Sequence, residues 1–114
     1  MIKTAVVILN WNGSEFLRKF LPEVLQNTVS ADTEVIVADN GSEDDSVAWM
    51  AGYYPDIRVI TRGRIYGYAG GYNRALKQVE AEYYILLNSA VRVERGWAEA
   101  LITYLEMHPR VGAC

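Results

Sequence analysis

Residues 4–13, TAVVILNWNG, set the architecture of this chain. The run Thr4 to Leu9 is apolar and rich in β-branched residues, with no polar position at which a solvent-facing side could form. A strand of this kind is buried on both faces, as in a parallel sheet covered by helices. It breaks off abruptly into Asn10-Trp11-Asn12-Gly13, a turn-forming cluster. Glu34–Ala38 (EVIVA) repeats the pattern as a second buried strand. Ile57–Ile60 (IRVI) and Tyr83–Leu87 (YYILL) supply a third and a fourth.

Helical spacing fills the intervals. Ser14 is placed to cap a helix whose apolar positions are Phe16, Leu17, Phe20, Leu21, Val24 and Leu25, with Pro22 expected to kink or divide it. Ser42, followed three residues later by Asp45, resembles a capping box opening a short helix through Val47, Ala48 and Ala51. Gly70–Val79 forms a further helix with a glycine-rich start. Trp97–Met107 sets Ala98, Leu101, Ile102 and Leu105 on one helical face and is stopped by Pro109. Val111–Cys114 has the look of one more strand. This alternation predicts an α/β fold, a Rossmann-like parallel sheet with flanking helices joined by right-handed crossovers.

Composition narrows the function classes. The chain has 114 residues, 51% of them hydrophobic, enough for one domain with a core. A formal net charge of -3 argues against nucleic acid as the main partner, because phosphate backbones demand a concentrated positive face. Basic residues cluster only at Arg58, Arg62 and Arg64. The single cysteine, Cys114, allows neither an intrachain disulfide nor a cysteine-rich zinc site, which suits a reducing, cytoplasmic setting. Apolar runs are strand-length, so no membrane span is expected, although a membrane-peripheral location stays compatible. GxGxxG, GxxxxGK[ST] and HExxH are all missing. His108, the only histidine, sits at a helix end and suits a C-terminal cap better than catalysis.

In open α/β sheets, ligands bind beyond the carboxyl ends of the strands. The strands here exit into Asn10-Trp11-Asn12-Gly13, Asp39-Asn40-Gly41-Ser42, the long segment ending Gly67-Tyr68-Ala69-Gly70-Gly71-Tyr72-Asn73-Arg74, and Asn88-Ser89-Ala90. Each cluster alone is ordinary turn sequence. Together they put polar and glycine-rich groups on one sheet edge. Trp11 could stack on a planar base. Asp39 could accept from a base N–H or a ribose hydroxyl. Gly70 and Gly71 would bare backbone N–H groups to a phosphate at a helix start.

On VVILNWNG (6–13), EVIVADNGSEDDS (34–46), YGYAGGYNRAL (66–76) and YYILLNSAVRVERGW (83–97), the chain resembles the family 2 glycosyltransferases of GT-A fold, particularly their bacterial rhamnosyltransferase-like branch. The stretches follow the family's order and spacing over nearly the whole chain. The resemblance implies an N-terminal donor-binding half that holds a nucleotide-diphosphate sugar with uracil or thymine as base (UDP- or dTDP-linked), for inverting transfer to an acceptor hydroxyl. It places Asn10, Trp11 and Asn12 against base and ribose, and makes Asp39 the base-binding aspartate. Gly70, Gly71, Asn73 and Arg74 would border the donor.

Asn88, Ser89 and Ala90 fall on the family's metal motif, Asn-x-Asp in this branch, where a carboxylate binds Mg2+ or Mn2+ bridging the diphosphate. Ala90 offers no oxygen, so metal binding is expected to be weak or absent. Ile65 also stands near where relatives carry an asparagine. The acceptor half, with its general-base carboxylate, would lie beyond Cys114. Residues 1–114 are therefore expected to be one truncated nucleotide-sugar-binding domain, without turnover of its own and prone to homo-oligomerise through an uncovered edge. A non-catalytic nucleotide-sugar-binding module is the alternative. A sugar nucleotidyltransferase fits less well, for want of a basic glycine-rich loop after the first strand.

Overall fold

The computed structural model describes residues 3–28, 32–61, 79–108 and 110. Its elements are β1 (Thr4–Asn10), α1 (Ser14–Gln26), β2 (Thr33–Asp39), α2 (Ser46–Tyr53), β3 (Arg58–Thr61), β4 (Tyr83–Asn88) and α3 (Trp97–Met107). The four strands form one sheet in the order β3-β2-β1-β4, with every neighbouring pair parallel. This is the expected α/β architecture. The helix expected over 70–79 and the strand expected over 111–114 lie outside the described residues, as do Arg62, Arg64, Ile65 and Cys114.

β1 is central and all seven of its residues are buried. Because side chains alternate along a strand, it feeds two cores. Val6 and Ile8 pack with Leu17, Leu21 and Val24 of α1, Met50 of α2, and Val35 and Val37 of β2. Ala5, Val7 and Leu9 share the opposite face with Ile36, Ala38 and Ile60. β4 is different. Tyr84 and Leu86 are 41% and 46% exposed, while Ile85 and Leu87 join the α1-side core. Of the residues expected on one face of α3, Ala98 is buried and Leu101, Ile102 and Leu105 are half-buried. The last three line a groove against β4 with Trp97.

Three local expectations are corrected. Pro22 does not divide α1, which runs unbroken from Ser14 to Gln26. Pro22 is on the exposed side, where the carbonyl one turn earlier that loses its amide partner can turn to water. Ser14 makes no side-chain cap; it is the first helical residue, and its N–H donates to Asp44 Oδ2 at 3.0 Å. The capping box at Ser42 and Asp45 does not form either. α2 begins at Ser46 with no side-chain cap bond from Asp45, and it buries Ser46 and Met50 while Val47, Ala48 and Ala51 are exposed. Its first N–H is met by Asp44 Oδ1, 3.0 Å from Ser46 N. One carboxylate thus serves the starts of two helices, and Ser42 is released for other work.

Candidate functional site

The register pairs Asn10 with Asp39, so the last residues of β1 and β2 leave the sheet side by side. Asn10 is fully buried and Asp39 is 3% exposed. Asn10 Nδ2 donates to Asp39 Oδ1 at 3.0 Å and approaches Ser42 Oγ at 3.3 Å. The Ser42 hydroxyl donates to Asp39 Oδ1 at 2.6 Å, and its backbone N–H donates to Oδ2 at 2.9 Å. A carboxylate has about four acceptor positions, so these three donors hold Asp39 rigidly and leave roughly one position on Oδ2.

A second layer ties the two exit loops together. Asn12 has φ 48°, in the left-handed region that asparagine tolerates better than most residues. Its N–H donates to Ser42 Oγ at 2.9 Å, and its Oδ1 accepts from Glu43 N at 2.7 Å and Asp44 N at 3.3 Å. Beneath this, Ser14 Oγ and Arg18 both donate to Asp45, and the Arg18 guanidinium lies 5.5 Å from the Trp49 ring centre. The Ser14 hydroxyl acts most strongly to hold the Asp45 carboxyl below its usual range; desolvation pushes the other way, and the Arg18 guanidinium adds to the lowering. For Asp44 burial acts upward, but bonds from the Ser46 hydroxyl and from the Ser14 and Ser46 N–H groups outweigh it and lower the value.

On this braced wall Trp11 is 52% exposed, between the two asparagines and outside both cores. Gly13 closes the wall towards β4. A Cβ there would collide with Asn10 Oδ1 and lie 2.9 Å from Ser89 Oγ. The exits of β1, β2 and β4 therefore meet, with Asn10, Trp11, Asn12 and Asp39 on one side and Asn88-Ser89-Ala90 on the other. Gly70, Gly71, Asn73 and Arg74 lie outside the described residues. Ser42 and Asp44 went unassigned in the sequence as site residues, since both look like ordinary turn formers. Their signal was present only as two short polar residues closely following Asp39. His108 caps α3, its Nδ1 2.8 Å from the Tyr104 carbonyl oxygen, away from these loops in sequence and in bonding.

The β4 exit presents Asn88, Ser89 and Ala90. Asn88 Oδ1 accepts from Ala90 N at 2.9 Å, Ser89 offers a hydroxyl, and Ala90 offers a methyl. Among the described residues no three His, Cys, Asp or Glu side chains gather as a metal-binding group. Mg2+ and Mn2+ favour several oxygen ligands, carboxylates among them, and the Ala90 methyl supplies none.

Known proteins share this fold. TarS of S. aureus, in a structure with UDP-GlcNAc, superposes with TM-score 0.80 at 20% identity, over 95% of this chain and 32% of that one. A mannosyltransferase of Pyrobaculum calidifontis, in complex with GDP-Man and Mn2+, gives 0.78 at 20% identity over 90% of this chain and 32% of the other. These likenesses establish the GT-A fold. In sequence, the chain is 34% identical over 90 residues to the uncharacterized glycosyltransferase YfnE of Bacillus subtilis. It is 27% identical over 119 aligned positions to an N-acetylglucosaminyl-diphospho-decaprenol L-rhamnosyltransferase of Mycobacterium tuberculosis. Those matches take in 77% and 95% of this chain but only 23% and 38% of the two relatives. No helix among the described residues is long and apolar enough to cross a membrane. The family model for glycosyl transferase family 2 matches residues 5–114, and the chain belongs to that family.

Proposed function

We propose that the joined exits of β1, β2 and β4 bind a UDP- or dTDP-linked sugar, and that this chain acts as the donor-binding part of an inverting glycosyltransferase. The observation that carries the reading is the pairing of a rigid, almost buried Asp39 with an exposed Trp11 on the same edge. Trp11 offers an aromatic face to the base. The remaining position on Asp39 Oδ2 suits a base N–H or a ribose hydroxyl, and a buried acceptor with one vacancy rejects ligands that cannot donate to it. Gly70, Gly71, Asn73 and Arg74 would border the sugar and diphosphate in this scheme. The structures of TarS with UDP-GlcNAc and with UDP support the ligand class.

Turnover would require a general base to take the acceptor hydroxyl's proton. Asp39, Asp44 and Asp45 are committed to structural hydrogen bonds, whereas Glu43 and Glu94, on the β2 and β4 exit loops, are exposed. In this reading the chain alone binds donor without transferring it, and Ala90 leaves that binding nearly independent of Mg2+ or Mn2+. Ala90 also favours the second reading, a nucleotide-sugar-binding module with no transfer step. Calorimetric titration of UDP and dTDP, with and without Mn2+, on the chain and on Ala90→Asp tests the nucleotide site and the role of Ala90. Expected is binding by the unmodified chain with little metal effect, and metal-dependent tightening in Ala90→Asp. Metal-dependent tightening in the unmodified chain overturns the account of Ala90. No nucleotide binding by either form overturns the donor-domain reading.

A further inference from the structure

Asn12 belongs, by resemblance, among the groups that touch the ligand, yet its bonding gives it another task. Its N–H is taken by Ser42 Oγ, and its Oδ1 accepts from the backbone of Glu43 and Asp44. These bonds cross from the β1 exit to the β2 exit, far apart in sequence. Ser42 is itself anchored on Asp39, so a continuous path of hydrogen bonds runs from Asp39 through Ser42 to Asn12. The left-handed φ of 48° at Asn12 turns the chain immediately after Trp11. Without such bracing, the backbone that carries the exposed indole would be free to move relative to Asp39. Holding that backbone in place removes part of the ordering cost of binding.

We infer that Asn12 is a positioning residue, which fixes Trp11 relative to Asp39 through its main-chain N–H and its side-chain Oδ1 instead of contacting the ligand. The inference rests on the proposed nucleotide site for its functional meaning, but the bracing can be measured without any ligand. The decisive variant is Asn12→Asp. Aspartate tolerates the left-handed conformation and keeps the acceptor that faces the Glu43 and Asp44 N–H groups, but it loses the amide donor through which asparagine would grip a ligand carbonyl or phosphate. Asn12→Gly keeps the backbone conformation and loses the acceptor, and Asn12→Ala loses both.

The three tryptophans of the full chain, Trp11, Trp49 and Trp97, can be replaced by 5-fluorotryptophan and followed by fluorine NMR, each resonance assigned with a Trp→Phe variant. In the absence of ligand, Asn12→Asp should leave the Trp11 resonance in place. Asn12→Ala should shift or broaden it, and Asn12→Gly should fall between. The Trp49 and Trp97 resonances, from rings packed against the core, should stay put and so report that the fold is intact. Titration with uridine, a neutral probe that avoids repulsion between the introduced carboxylate and phosphate, should show affinity within about twofold for Asn12→Asp and about tenfold weaker for Asn12→Ala. A Trp11 resonance unchanged in Asn12→Ala overturns the inference. So does uridine binding lost in Asn12→Asp while its Trp11 resonance is unchanged, since that marks a contact residue. If the unmodified chain binds no uridine, the proposed nucleotide site fails, and the fluorine spectra alone still decide whether Asn12 positions Trp11.

Discussion

At the scale of single residues, Gly13 shows most sharply how the site is assembled. Its missing side chain lets the start of α1 lie directly over Asn10, beside Ser89. Asn10 Oδ1 is buried with no hydrogen-bond partner among the described residues, so this crowded corner is already costly. Gly13→Ala should force the neighbouring loops apart and destabilise the chain by about 1–3 kcal/mol, measurable as a lower midpoint in urea. An unchanged midpoint would mean that the corner yields without cost. Asn10, Trp11 and Asp39 could be picked out in the sequence because each follows a buried strand, where a polar or aromatic residue has no packing reason to be. That the amides of Asn10 and Asn12 are spent on the other loop could not be. It depends on the one-to-one register of β1 against β2, a long-range pairing that local sequence does not fix.

At the scale of elements, the four described strands were legible to within a residue of their ends, since burial of the central strands on both faces leaves an unmistakable apolar run. Helix starts were not legible. Ser14 and Ser42 look like caps, but the sequence also offered Asp44, whose carboxylate reaches Ser14 N and Ser46 N at once. Three short acceptors within a few residues can be dealt to the free N–H groups in several ways, and only the tertiary approach of α1 to α2 chooses. The arrangement is sensitive to acid. Asp44 and Asp45 titrate below their ordinary value in the folded chain, so their contribution is present above the unfolded carboxylate range, about pH 4, and is lost as pH falls through the lowered folded values. Thermal melts from about pH 6 down to about pH 2.5 should show a steeper acid loss for the unmodified chain than for Asp44→Asn, which should start less stable and converge with it at the acid end. Parallel curves would show that Asp44 adds nothing through its charge. Both side chains are exposed, so the difference should be small.

At the scale of the whole molecule, the parallel sheet and its order put every described strand exit on one edge, the arrangement that alternating strands and helices predict. Tyr84 and Leu86 stand exposed on β4, the outermost of the described strands on one flank, and a groove walled by Ile85, Trp97, Leu101 and Leu105 opens beside them. An apolar flank on an outermost strand favours pairing with a second copy. Sedimentation velocity across a wide concentration range should show mass rising with concentration, and Leu86→Lys should reduce it; a monomer throughout would contradict this. The sequence marked YYILL as strand but could not tell that it would lie outermost among the described strands, because strand order is a property of the assembled sheet. The central claim, that the joined strand exits form the nucleotide site, is tested most directly by amide chemical-shift mapping with UDP. Shifts concentrated at Asn10–Gly13, Asp39–Ser42 and Asn88–Ala90, and lost in Trp11→Ala, are predicted. Shifts confined to the β4–α3 groove, or none at saturating UDP, would contradict it.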